Sequence, residues 1–589
     1  MRWILRKKNT ILISLIMLAS VLAYWFTLLN GFTFDDLHSI VENEYLRDFS
    51  FLKYIFSTKY FVISAEASYR PVITILNFAQ YFVFGNNPAG YHLINIILHG
   101  LTAILIFYFL RKIIDEKIAF AVSLFHAVHP ALSESVCAAA FAEDILCLLF
   151  IMASLLSAFK FCDSGNSKFK SRIYIFLVCF FYLLALGSKE AAFFLPAGFL
   201  VFLPFLKPNR KKVFIVFSGL TAILLFFVFL RFFVLFNPAE KALNRMNEVK
   251  NWFSVVYYLI DYLKLYFLPF KLTIIHPVKH IPPQNTFLIV AHWLLFFGLL
   301  VSGIFLIRRK KIEGAAILWF LISLAPVSGI IPLKFPFAER FIYIPSLGLH
   351  ILLACMISGC FTKNKKFMIV LLILSSILVV RTSVRCSQWK TDLRLWKSTL
   401  KTSPDSPAVH YALGKIYQDN HFLNKAEKHY IRAIELNRDY TDPYINLAVI
   451  YMDTGKLDKA LRINDIALSI NPDIAIIHLN NALIYKSFGK PDKELDSYEK
   501  SIKSDPSFFP AYTNLASFYL KNNQTDNAAN IWLQGITVNP RWTEAYINLS
   551  KYYLDKSQVQ NAINVLRKGL FHNPNDTRLR LYYLKLKQN

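Results

Sequence analysis

Residues 441–474 read TDPYINLAVIYMDTGKLDKALRINDIALSINPDI, and the same skeleton returns every 34 residues along the C-terminal part of the chain. Tyr417, Tyr451, Tyr485, Tyr519 and Tyr553 hold one phase of the repeat, and Leu413, Leu447, Leu515 and Leu549 hold another. Pro472, Pro506, Pro540 and Pro574 keep the same 34-residue spacing, while Ala426, Ala460, Ala528 and Ala562 supply a small side chain where two helices cross closely. A unit of this length is a helix pair that cannot bury its apolar face alone, so neighbours stack into a curved solenoid. Five units are predicted over 407–576, with a capping helix over 577–589. Three positions depart from the pattern: Asn481 replaces a Leu, Glu494 an Ala and Arg438 the first Pro.

This period and these residues are those of the tetratricopeptide repeat (TPR). Asn446, Asn480, Asn514 and Asn548 also recur every 34 residues, two turns into the first helix of successive repeats. Side chains there tend to line the concave face, and a carboxamide pairs with a peptide backbone whatever its side chains. The ladder resembles that of O-GlcNAc transferase, where it holds polypeptide acceptors. The other reading is that Asn is common at this TPR position.

Upstream of the repeats the chain changes class. The 589 residues are 55% hydrophobic and 17% charged, with 54 Phe, which suits a bilayer better than a soluble domain. Much of the basic excess behind the formal charge of +27 sits in short clusters between apolar runs, so no nucleic-acid partner is expected. The seven cysteines (137, 147, 162, 179, 355, 360 and 386) lie in or beside those runs, so disulfides do not hold the repeats together.

Hydropathy predicts eleven spans, at about residues 9–29, 90–110, 117–136, 141–160, 172–188, 191–206, 213–235, 286–307, 314–331, 341–361 and 367–385. The first follows Arg6-Lys7-Lys8 and reads as a retained anchor that starts in the cytoplasm. Alternate connections carry Arg111-Lys112, Lys168 to Arg172, Lys207 to Lys212, Arg308 to Lys311 and Lys363 to Lys366, the positive-inside pattern. Residues 252–270 contain Asp261 and Lys264 and read as interfacial or re-entrant. The loops 30–70, 129–141, 236–285 and 332–340 then face outward, together with everything after Cys386. The expected layout is all-α: a membrane domain over 1–386, a linker helix over 387–406, the repeats and the cap.

The first outward loop begins Gly31-Phe32-Thr33-Phe34-Asp35-Asp36. A partly desolvated carboxylate beside a like charge has a raised pKa and suits a general base, although an isolated Asp-Asp is more often a solvated turn or helix cap. His126 and His129, with Glu134, lack the closed ligand set of a structural metal site, and no metal or cofactor is expected.

The chain resembles the transmembrane TPR-repeat O-mannosyltransferases and their bacterial relatives in the GT-C superfamily. The residues that carry the resemblance are Phe34-Asp35-Asp36, Tyr69-Arg70-Pro71, Gly90-Tyr91-His92-Leu93 with Asn95 and His99, His129-Pro130 with Glu134, Asp144, Ser188-Lys189-Glu190, and Ala338-Glu339-Arg340 with Tyr343, Pro345 and Ser346. It implies a GT-C membrane fold and an acidic residue from the first outward loop, Asp35 or Asp36, acting as base. The donor sugar would arrive on a polyprenyl phosphate, a co-substrate rather than a cofactor, and transfer would invert the anomeric centre.

Arg70, His129, Glu134, Asp144, Lys189, Glu190, Glu339 and Arg340 are the candidates to hold the donor phosphate or sugar. Arg340 and Arg70 are the leading phosphate ligands, and Lys189 is equally readable as part of a paired turn. Where bacterial relatives carry Gly-Arg two residues before the Asp, this chain has Phe141-Ala142-Glu143-Asp144, so one expected basic residue is missing. The acceptor is expected to be a protein presented by the TPR groove. The alternatives are an envelope glycan or lipid acceptor, or a non-catalytic membrane-anchored scaffold. Lys-, Asn-, Ile- and Phe-rich usage suits a bacterial inner membrane with a periplasmic tail; in a eukaryote the equivalent is the endoplasmic reticulum with a luminal tail.

Overall fold

Several helices begin where a side chain satisfies the first backbone donors. Asn87 accepts the Ala89 N–H, with Pro88 in the first turn of Pro88–Leu110. Asp115 does the same for Glu116–Val128 through Lys117, and Asn209 for Arg210–Phe229 through Lys211. The computed structural model describes residues 2–64, 68–164, 167–206, 209–235, 254–276, 286–327, 337–361, 363–574 and 576–588. Within them the chain is all-α, without a strand. Parts of the expected outward loops, 236–253, 277–285 and 332–336, lie outside the described residues, as do Lys207 and Asn589. The described chain divides into two units, Met1–Pro404 and Asp405–Asn589.

Among the described residues of the first unit seven helices are long and apolar enough to cross a membrane: Lys8–Leu29, Pro88–Leu110, Ala139–Cys162, Lys168–Ser188, Arg210–Val234, Thr286–Arg308 and Asn364–Gln388. Three further expected spans are shorter apolar helices, Glu190–Phe205, Ile312–Val327 and Ser346–Cys360. A fourth short one, Pro71–Phe84, falls where no span is expected. The span expected over 117–136 is broken. Its helix stops at Val128 because Pro130 has no N–H to continue the ladder and forces His129 into extended backbone, φ −76° and ψ 124°. A 3₁₀ turn, Pro130–Leu132, and a short helix, Ser133–Cys137, follow, and the break places Glu134 in the interior.

Polar side chains tie these helices together. Asn95 donates to the Ala138 carbonyl at 3.0 Å, and His99 Nδ1 lies 2.7 Å from the Tyr343 hydroxyl. The stretch read as a linker packs within the first unit. In Asp392–Thr402, Leu395, Trp396 and Thr399 are buried, and the Trp396 ring lies 5.9 Å from that of Phe34.

The second unit is five helix pairs, from Pro407–Asp419 to Val559–His572, followed by Thr577–Gln588. Ala426, Ala460, Ala528 and Ala562 are fully buried, which lets the paired helices approach. Inside each pair one residue has a positive φ: His421 (61°), Gly455 (71°), Gly489 (64°), Asn523 (58°) and Ser557 (62°). These positions are also 34 apart. In every case the next residue's N–H reaches back to the carbonyl of the repeating tyrosine, Tyr417, Tyr451, Tyr485, Tyr519 or Tyr553, at 2.7–3.0 Å. This is a Schellman turn, which caps the first helix and aims the second.

Candidate active site

Four elements converge on a set of buried ions in the first unit. The break at Pro130 delivers Glu134, which is fully buried, and its carboxylate accepts from Arg340 twice: from the backbone N–H at 2.8 Å and from Nη1 at 2.5 Å. The Arg340 guanidinium also lies over the Phe141 ring, 4.4 Å from its centroid. Asp35 and Glu143 both act electrostatically on Arg340.

A second chain of ions passes through Glu143. Its carboxylate meets Arg70 at 2.8 Å and Lys189 at 3.1 Å; Lys189 also meets Asp144 at 2.7 Å. Arg70 continues to Glu190 at 3.2 Å, and Glu190 pairs with Arg231. Charges this deeply buried are tolerable only in such fully compensated networks. Glu339 stands in a third group, taking Arg385 at 3.2 Å, His276 at 3.6 Å and the Thr273 N–H.

The two aspartates of the outward loop occupy different environments. Asp36 is fully buried, and its carboxylate accepts the Ala140 N–H at 2.8 Å and the Thr33 N–H at 3.1 Å. Burial pushes its pKa up to about 7, the Ala140, Thr33 and Ala139 N–H groups pull it down, and Asp35 pushes it up. Asp35 is only partly buried, and its charge acts on Arg340. Between the loop and the rest of the site sits Phe34, a non-glycine residue at φ 55°, a conformation that costs roughly 1–2 kcal/mol. It is held by ring contacts to Phe141 at 6.2 Å and Trp396 at 5.9 Å, and by the Asp392 carboxylate accepting its N–H at 2.8 Å. Strain of this kind persists where surrounding packing over-determines it, and it clusters at functional sites.

The Arg340–Glu134 pair thus lies within electrostatic reach of Asp35 and Glu143, and Glu143 contacts Arg70 and Lys189, which continue to Glu190 and Asp144. His129 joins a different group. It stacks on Tyr266 at 4.4 Å, and its ring lies 5.4 Å from that of His350, which in turn lies 5.6 Å from His126. These rings are buried, and among the described residues no group of His, Cys, Asp or Glu is arranged to hold a metal ion. Sequence reasoning passed over Glu143, Arg231 and Arg385 as site residues. Arg231 and Arg385 lie in apolar spans, where a charge is itself a signal of function. Ala142, where a basic residue was expected, is buried beside Ile73 and Leu146. Positive charge reaches neighbouring Glu143 from Arg70, Lys189 and Arg340 instead.

In the second unit the asparagine ladder is not uniform. Asn446 donates weakly to the Tyr411 and Tyr430 hydroxyls at 3.4 and 3.3 Å, and Asn514 donates to the Pro510 carbonyl at 2.9 Å. Asn480 is buried with no partner for its amide nitrogen among the described residues, and Asn548 is half-buried.

The family model for dolichyl-phosphate-mannose-protein mannosyltransferases matches residues 71–232, and a tetratricopeptide-repeat model matches 497–529. A protein O-mannosyl-transferase of Caenorhabditis elegans is 28% identical over 450 residues, covering 73% of this chain and 63% of that protein. Over about three quarters of its length the chain is similar to protein O-mannosyl-transferases, and it carries tetratricopeptide repeats of its own. Human TMTC3, another of these, is 25% identical over 489 residues, covering 74% of this chain and 52% of its own length. The chain therefore spans between about half and two thirds of the length of these relatives. The first family match contains Arg70's neighbour Pro71, the broken helix with Glu134, the Glu143–Lys189 ions and Arg231.

Proposed function

We propose that this protein is a membrane glycosyltransferase that moves a sugar, mannose by the names of its relatives, from a polyprenyl phosphate to an acceptor protein's hydroxyl. The observation that carries this reading is the partly exposed Asp35, within electrostatic reach of the Arg340–Glu134 pair, while its neighbour Asp36 is buried against backbone donors. A base must touch its substrate, and Asp35 is the more accessible of the two.

In the reaction, the Asp35 carboxylate takes the acceptor hydroxyl's proton as that oxygen bonds to the anomeric carbon. The bond from that carbon to the lipid phosphate breaks, the phosphate leaves with the electron pair, and the centre inverts. Arg340 stabilises the phosphate charge as it develops, with Arg70 behind it. Glu134 and Glu143 hold those cations in place and keep them from being buried unpaired. The site opens to the non-cytoplasmic side. The uneven asparagine ladder favours a second reading of the repeats, in which they recruit partner proteins and the acceptor is an envelope glycan or lipid.

The test follows sugar transfer from labelled lipid donor in membranes. Asp35→Asn is expected to lower the rate by about 10²–10⁴-fold, the usual worth of a positioned base, with protein level and melting unchanged. Full activity in Asp35→Asn would remove this assignment. Loss of a defined glycan from proteins, as against envelope glycans, on deleting the gene separates the two acceptors.

A further inference from the structure

The helix Asp392–Thr402 has two unlike faces. Its inner side, Leu395, Trp396 and Thr399, is buried and packs beneath the outward loop through Phe34. Its other side carries Arg394, Lys397 and Lys401, three and four residues apart and therefore on one face, all exposed. With Arg381 these cations line a cavity of 630 Å³, and none of the described residues that line it is a carboxylate. Arg381 is committed in part to the Pro269 and Phe270 carbonyls, at 3.0 and 2.8 Å, which fixes the far wall.

Below the cavity the surface is apolar. Along Asn364–Gln388, Ile373, Ile377, Val380 and Val384 are 49–64% exposed and follow one another at steps of four, three and four, so they form a single exposed apolar stripe on a helix long enough to cross a membrane. Phe270, 71% exposed, flanks the cavity at the same end. A cationic pocket directly above an exposed apolar stripe has the chemistry of a lipid headgroup site. The charge distribution points the same way. This span starts at Lys363, Lys365 and Lys366 and ends at the cationic cavity, so whichever way it crosses, one basic end lies on the non-cytoplasmic face. Membrane topology disfavours that arrangement, so those cations need another reason to be there.

We propose that this cavity binds the headgroup of an anionic phospholipid of the bilayer, and that Asp392–Thr402 is an interfacial helix that couples this lipid to the outward loop. The coupling is direct: Asp392 accepts the Phe34 N–H and the Lys390 carbonyl accepts the Gly31 N–H at 3.1 Å, so both ends of the loop segment before Asp35 hang on this stretch. The binding itself is independent of the glycosyltransferase reading; a consequence for activity rests on it.

The experiment titrates the purified full chain in detergent with phosphatidylglycerol or phosphatidylcholine and counts retained lipids by native mass spectrometry. The wild-type chain is expected to hold phosphatidylglycerol about 10-fold or more tighter than phosphatidylcholine. The triple variant Arg394→Gln, Lys397→Gln, Lys401→Gln is expected to lose that preference, weakening by about 10- to 100-fold from three cations near a charged surface. A control triple at Lys168, Lys170 and Arg172 is expected to keep it. All three substituted residues are exposed, and matched melting curves check the fold. Equal retention of the two lipids by wild type, or unchanged selectivity in the triple variant, would overturn the proposal. Competition by millimolar inorganic phosphate or an acidic peptide as effective as phosphatidylglycerol would overturn the choice of a lipid. Unaltered binding in an inactive Asp35→Asn chain separates this site from the catalytic reading.

Discussion

Asp36 shows how a buried carboxylate ties stability to pH. Its folded pKa of about 7 lies above the unfolded carboxylate value, so the folded chain holds a proton that the unfolded chain has lost between those limits. The stabilisation is full below about pH 4 and disappears as pH rises through 7. Asp36→Asn is expected to flatten this dependence while keeping one backbone contact, checked by melting the reconstituted protein between pH 4 and 8; an unchanged slope would refute it. A second residue-scale case lies in the repeats. Asn481, where the repeat has Leu, accepts a 2.7 Å bond from buried Asn464. Asn481→Leu alone strands that amide and is expected to cost about 1–3 kcal/mol, whereas Asn464→Leu with Asn481→Leu is expected to recover most of it. A double-mutant cycle by urea unfolding of the full chain measures the difference.

At the scale of elements, the five Schellman turns explain why the repeat is so regular. Each asks for a positive φ at one position, and only Gly455 and Gly489 meet it without strain. Space is not the constraint at Gly455, since a Cβ there would meet nothing within 4 Å. Gly455→Ala is therefore expected to destabilise by about 1 kcal/mol through the backbone alone. His421→Gly and Ser557→Gly are expected to stabilise by about 0.5–1 kcal/mol, and Asn523→Gly to change little, because Asn tolerates this region. Thermal melts of the four variants rank them, and a loss on His421→Gly would contradict the argument. The 34-residue phases of Tyr, Leu and Ala were legible because each maps to one local contact. The turn position was less so, since His, Gly, Gly, Asn and Ser share a backbone angle and no side-chain chemistry. The broken helix before Glu134 is the converse case: apolar composition predicts a span there, and one proline overrides it.

For the molecule as a whole, the proposed orientation places the active site and the repeats on the non-cytoplasmic face. Cys360 is exposed next to the Lys363–Lys366 cluster, whereas Lys390 is exposed beyond the other end of Asn364–Gln388. A membrane-impermeant maleimide is expected to label Lys390→Cys in intact cells, or in spheroplasts of a bacterium with two membranes, and Cys360 only after permeabilisation; the reverse order would invert the topology. Hydropathy, the repeat period and the scattered acidic and basic motifs sufficed to read an all-α membrane domain followed by a TPR solenoid, because burial in lipid and stacking of repeats impose periods on the chain. Ion pairing imposes none. That Glu143 binds Arg70 and Lys189, that Glu134 pairs with Arg340 across 206 positions of sequence, and that Asp36 turns inward while Asp35 stays open were decided by tertiary packing. A buried charge is stabilised by whichever opposite charge the fold brings to it, however far away in the chain.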